Sequence, residues 1–110
     1  MALTKDDALE IARSFLVEAK KQHEISSAYL FGSYVSGREK DWSDIDLAVV
    51  LAGKSISHDR YVSESFEIFH EAQEYNSLLE VVCFRQEEFE EIGASIVSRI
   101  KREGIPVTTP

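Results

Sequence analysis

The chain has 110 residues, 44% hydrophobic and 29% charged, the balance of an ordinary soluble globule. Twenty acids against twelve bases leave a net charge of −8, which gives no general attraction for phosphate backbones and argues against a free-standing nucleic-acid binder. The length allows one two-layer core, so a single domain over 1–110 is expected, with no room for a second.

The lone cysteine, Cys83, cannot form an internal disulfide and reads as a small core residue. The opening residues Thr4 to Asp7 lack the apolar block of a signal peptide, and no apolar run reaches membrane-spanning length. The cytoplasm is the expected location, with no membrane partner.

In chain order, Thr4 with Asp7 has the spacing of a capping box. Leu9, Ala12, Leu16 and Ala19 then repeat at helical spacing, widened by Ile11 and Phe15, which predicts a helix from about Lys5 to Lys21. Lys20 and Lys21 would stand at its negative end. A first strand is expected over Ile25–Phe31, ending in a Gly32-Ser33 turn. Gly32 permits a tight turn and close approach of a ligand, and Ser33 opens a short helix from Tyr34 to about Arg38.

After a loop closed by Asp41 to Ser43, Asp44–Leu51 reads as a second strand. Side chains alternate along a strand, so Asp44, Asp46, Ala48 and Val50 share one face, and Ile45, Leu47, Val49 and Leu51 the other. Both faces are apolar past the acids, which makes the strand central. Gly53–Asp59 reads as a linker. A helix from about Asp59 to Tyr75 is expected to bury Val62, Phe66 and Phe69, with Asn76-Ser77 as its stop. The third strand, Leu78–Phe84, carries Glu80, Val82 and Phe84 on one face and Leu79, Val81 and Cys83 on the other. A last helix starts near Gln86, with Phe89, Ile92, Ile96 and Ile100 at helical spacing, a Gly104 cap, and Pro106 beyond it.

Glu80 is the odd residue on its strand, since burying a carboxylate unpaired costs several kcal/mol, on the order of 3–5. Neighbouring strands lie about 4.8 Å apart, so Glu80 can stand beside the Asp44/Asp46 pair. Like charges about 5 Å apart repel by roughly 3 kcal/mol at an effective dielectric near 20. Three such acids call for a proton or a divalent cation, and oxygen donors without histidine or thiolate favour Mg²⁺ or Mn²⁺. An anion-binding turn nearby adds the second half of a phosphoryl or nucleotidyl transfer site.

Gly32-Ser33, Gly37 and the run Ser43-Asp44-Ile45-Asp46-Leu47 resemble the signature of the nucleotidyltransferase superfamily. The small size is similar to the minimal nucleotidyltransferases, the antitoxin halves of HEPN/MNT toxin–antitoxin modules. The resemblance implies a DNA polymerase beta-like α/β (α+β) fold, a small mixed sheet of at least three strands packed with helices. It implies Asp44 and Asp46 as catalytic metal ligands, with Glu80 as third ligand or base. It further implies that Gly32, Ser33, Gly37 and Ser43 hold the nucleotide, with Mg²⁺ as cofactor and ATP as donor.

The expected activity is transfer of AMP from ATP to a tyrosine of a HEPN ribonuclease partner. Alternatives are an antitoxin that neutralises its partner by binding, and a small-molecule nucleotidyltransferase of the antibiotic-modifying kind. The chain departs from the family pattern at Val35-Ser36, where Ala-Arg is common before the second glycine, and Arg38 or Lys40 would have to substitute. Its third acid is a glutamate where aspartate is commoner. His23, His58 and His70 show no metal-like spacing and read as surface residues. Trp42 reads as packed over its loop, and Glu87, Glu88, Glu90 and Glu91 as a solvated face.

Overall fold

The computed structural model describes residues 3–37, 43–53, 57–90 and 95–109. Arg38, Lys40, Asp41, Trp42, Glu91 and Ile92, together with 54–56 of the expected linker, lie outside the described residues. The elements are α1 (Lys5–Ala19), β1 (Ile25–Phe31), α2 (Ser33–Ser36), β2 (Ile45–Leu51), α3 (His58–Tyr75), β3 (Leu79–Arg85), α4 (Gln86–Glu90), α5 (Ser95–Glu103) and β4 (Ile105–Pro106). The strands form one mixed sheet in the order β3-β2-β1-β4. β1 pairs antiparallel with β2, and β2 pairs parallel with β3 across the α3 crossover.

The capping box is present at α1. The Thr4 hydroxyl accepts from the Asp7 N–H at 3.1 Å, and the Asp7 carboxylate accepts from the Thr4 N–H at 3.0 Å. The helix stops at Ala19, two residues before the expected end, and the Lys21 ammonium goes instead to Glu18 at 3.1 Å. At the far end of α3, the Asn76 side chain accepts from the Leu78 N–H at 2.9 Å and turns the chain into β3.

One face of the sheet packs on α1 and α3 through Ala12, Phe15, Leu16, Leu30, Leu47, Ile68 and Val81. The other face carries a smaller cluster, Ala48, Val50 and Phe84 against Phe89, Val97 and Ile100 of α4 and α5. β2 is buried on both faces except at Asp46, which is only half-buried. Cys83 is buried, as expected of a core residue.

Two expectations fail, each for a packing reason. Val62, Phe66 and Phe69 are not the buried face of α3; they are 49%, 64% and 38% exposed, while Ile68 and Ala72 are fully buried. The helix is rotated so that its small and branched residues meet the sheet, with the Tyr61 hydroxyl donating to the Cys83 carbonyl at 2.8 Å. His23 is not a surface residue but 7% exposed, trapped between the turn after α1 and the acidic flank of α3. His58 and His70 are exposed as expected.

The sheet, expected to hold at least three strands, has a short fourth. The chain caps α5 through the Gly104 N–H to the Ile100 carbonyl (2.7 Å), then lays Ile105 and Pro106 along β1. A proline is tolerated there because β4 is an edge strand. The expected last helix is described as two helices, with 91–94 between them outside the described residues. Among the described residues no helix is long and apolar enough to cross a membrane.

Candidate functional site

β1 delivers the chain to Gly32 with φ 83° and ψ −147°, a conformation that L side chains rarely adopt. The reason is a carboxylate. Phe31 pairs with Asp46 across β1 and β2, and a Cβ on Gly32 would stand 2.1 Å from the Asp46 Oδ2. Asp46 thus rests directly on the backbone of the turn, and α2 begins at the next residue, Ser33. Gly37 ends α2 in the left-handed region at φ 75°, with its N–H donating to the Ser33 carbonyl and nothing among the described residues within 4 Å of where a Cβ would stand.

On the other side, Asp46 and Glu80 are Cα partners in the parallel pairing of β2 and β3. Asp44, one residue before β2, shares a side-chain hydrogen bond with Glu80. That contact, followed by burial and the charges of Asp44 and Asp46, pushes the Glu80 carboxyl above the ordinary glutamate value. Burial first, and then the Asp44 charge, pushes Asp46 above the ordinary aspartate value. The three acids therefore meet on one face of the sheet, beyond the apolar cover that α4 and α5 give to Ala48 and Val50. In both shifts the smaller part is like-charge crowding, which a bound cation would relieve. The all-oxygen donor set fits a hard divalent ion such as Mg²⁺. The acids are a loose set; among the described residues, the trio whose ligand atoms all lie within 4.8 Å is His23, Glu67 and Glu71, on the opposite face.

Gly32 also opens on a cavity of about 680 Å³ between the β1–α2 turn and α5, with Phe31, Val35, Ile96 and Ile100 as apolar walls. Arg99 and Glu103 line it too, paired with each other at 3.2 Å. The volume falls within the range of roughly 300–1,000 Å³ usual for small-molecule and cofactor sites. Carboxylates, turn and cavity thus share one residue, Gly32.

Gly32, Asp44, Asp46 and Glu80 are brought together, Ser33 heads α2, and Gly37 shapes the bend. Ser43 accepts at its carbonyl from the Tyr34 hydroxyl at 3.3 Å. Tyr34, buried at the start of α2, was not singled out from the sequence, yet it ties that helix to the segment leading into Asp44. The cavity walls from α5 were also missed, because they lie more than sixty residues from the turn and no motif links them. The two cations considered for a phosphate, Arg38 and Lys40, lie outside the described residues.

The chain matches the family described as Polymerase beta, Nucleotidyltransferase over residues 16–105. It is 39% identical over 46 residues to MJ1215 of Methanocaldococcus jannaschii, provisionally named a protein adenylyltransferase; the match covers 42% of this chain and 54% of that protein. The chain thus spans about half the length of that curated relative.

Among solved structures, a provisionally named nucleotidyltransferase from Sulfolobus solfataricus superposes with a TM-score of 0.56 at 21% identity, covering 76% of this chain and 72% of that one. A toxin–antitoxin solved with AMP-PNP gives 0.58 at 17% identity over 89% and 73% of the two chains. A variant of the toxin–antitoxin MntA–HpeT gives 0.53 at 16% identity over 98% and 75%. At such identities these likenesses establish the fold, that of the polymerase beta-like nucleotidyltransferases. On the match over 16–105, the chain belongs to the polymerase beta nucleotidyltransferase family.

Proposed function

We propose that this chain is a Mg²⁺-dependent nucleotidyltransferase, an antitoxin that transfers AMP from ATP to a tyrosine hydroxyl of a partner HEPN ribonuclease toxin in the cytoplasm. The observation that carries the reading is the meeting of Asp44, Asp46 and Glu80 beside Gly32, which also opens the nucleotide-sized cavity. Support for the biological setting comes from the likeness to two toxin–antitoxin structures, one solved with AMP-PNP, and from the adenylyltransferase name of the M. jannaschii relative.

In this reading the nucleoside occupies the cavity against Phe31, Val35 and Ile96. The triphosphate lies over the turn, where Gly32 carries no side chain to obstruct it and Ser33, Gly37 and Ser43 complete the cradle. Asp44, Asp46 and Glu80 would hold the divalent ion, which supplies charge compensation at the phosphates. The acceptor oxygen attacks the α-phosphorus. The bond from that phosphorus to the oxygen bridging the β-phosphate breaks, and pyrophosphate leaves with the electron pair. The hydroxyl proton goes to Glu80 where its carboxylate serves as base in place of third ligand.

The test is mass spectrometry of the toxin after incubation with this chain, ATP and Mg²⁺. One adenylate added by the parent chain, and none by the Asp44→Ala/Asp46→Ala variant, is the expected result. A toxin of unchanged mass with the parent chain overturns the reading. Should the doubly substituted variant still protect cells from the toxin, neutralisation is by binding, and catalysis is not what silences the partner.

A further inference from the structure

A second group of ligand-bearing side chains lies on the opposite face of the sheet, and nothing in the nucleotidyl-transfer reading uses it. His23 follows α1 and is buried, with its Nε2 at 3.0 Å from the Glu71 Oε2 and 3.3 Å from its Oε1. Glu67 and Glu71 are four residues apart on α3 and so share a face. One ligand atom from each of His23, Glu67 and Glu71 falls within 4.8 Å of the other two.

The second ring nitrogen gives an independent indication. The His23 Nδ1 is buried without a hydrogen-bond partner, and the nearest acid is Glu64 at 3.9 Å. A metal-bound imidazole typically donates its other N–H to a carboxylate, and Glu64 stands on that side. The bases that pair on this flank go to other acids, Lys21 to Glu18 and Arg60 to Glu64. Two donors each about 2.1 Å from one tetrahedral ion are about 3.4 Å apart. The His23 Nε2 stands 3.3 and 3.0 Å from the two Glu71 oxygens, so a small opening of that contact admits the ion.

We propose that His23, Glu67 and Glu71 bind a divalent cation of the Zn²⁺ class, which fastens the turn after α1 to α3. The imidazole nitrogen selects a borderline ion over Mg²⁺, whose preference is for oxygen. The site therefore stays distinct in metal as well as in place from the acids beside Gly32. Its ligands come from the turn after α1 and from α3, so binding should raise stability without altering the sheet.

The test titrates Zn²⁺ by calorimetry into the full chain carrying Asp44→Asn/Asp46→Asn, which leaves Glu80 alone of the other three acids. One equivalent bound, with a rise in Tm, is expected. Adding Glu67→Gln/Glu71→Gln should weaken that binding at least about tenfold, as should His23→Gln. Because Glu67 and Glu71 are solvent-accessible, the glutamine variant keeps the fold even if the histidine variant does not. Co²⁺ should give visible absorption that the glutamine variant lacks. No Zn²⁺ bound, Zn²⁺ bound equally by the glutamine variant, or displacement by equimolar Mg²⁺ would each overturn the proposal.

Discussion

The Asp46 carboxylate occupies the space where Gly32 would carry its β-carbon, 2.1 Å from the Oδ2. Two constraints coincide at Gly32, the positive φ and the acid against it. Gly32→Ala should therefore strain the backbone by roughly 1–2 kcal/mol and also push Asp46 out of the carboxylate group. Denaturant melts should register the strain, and Mg²⁺–ATP binding should fall further than the stability loss explains. A variant that binds nucleotide like the parent would contradict the arrangement.

The crowding of Asp46 and Glu80 has a stability consequence with a definite sign. Both carboxyls are raised, from ordinary values of 3.8 and 4.5. A raised acid favours the fold fully below its unfolded value, and that contribution is lost as pH rises through the folded value. Asp46→Asn should accordingly melt higher than the parent at neutral pH, with the gap narrowing as pH falls towards 3.8. Added Mg²⁺ should raise the Tm of the parent at neutral pH more than that of the variant. Thermal scans across pH, with and without Mg²⁺, check both signs; a variant less stable at neutral pH refutes the crowding account.

The acids and the turn were legible in the sequence from local pattern. Asp46 stands in register with Glu80 through the parallel pairing of β2 and β3, and Asp44, one residue before β2, reaches Glu80 by its side chain. The capping box of Thr4 was legible for the same local reason. What depended on distant contacts was not. The two-residue strand Ile105–Pro106 has no pattern of its own and exists through its bonds to β1. His23 looked like a residue at the end of a helix, and only the crossover of α3 buries it. In α3, the apolar set with the largest side chains was mistaken for the core face, when the sheet accepts Ile68 and Ala72 at that distance.

That misreading of α3 yields a paired prediction. Ile68 is fully buried, so Ile68→Ala should cost about 2–5 kcal/mol. Phe66→Ser, on the exposed flank, should stay within about 0.5 kcal/mol. Chemical denaturation of the two variants checks the rotation of the helix; comparable losses would place Phe66 in the core after all.

Cys83 should be chemically silent in the folded chain. Burial pushes its thiol up to about 11 from an ordinary 9.0. Near pH 8 that lowers the thiolate population by about 100-fold, before access is considered. Labelling with an aromatic disulfide should therefore be at least that much slower than for a free thiol, and should become complete in denaturant. Rapid labelling of the native chain would show that β3 is more open than its packing under Tyr61 implies.

Tyr34 offers the cleanest separation of positioning from stability. Its ring is buried in the core between the sheet and α1, while its hydroxyl donates to the Ser43 carbonyl one residue before Asp44. Tyr34→Phe keeps the packing and removes the tether, which should cost about 0.5–1.5 kcal/mol in stability. The segment leading into Asp44 then loses its tie to α2, so nucleotidyl transfer should fall by about tenfold or more, through kcat rather than KM for ATP. Measuring both constants alongside a denaturant melt tests the point. A stability loss with unchanged kcat would mean that the hydroxyl supports the fold alone, and that Asp44 is held by Glu80 and the strand pairing without it.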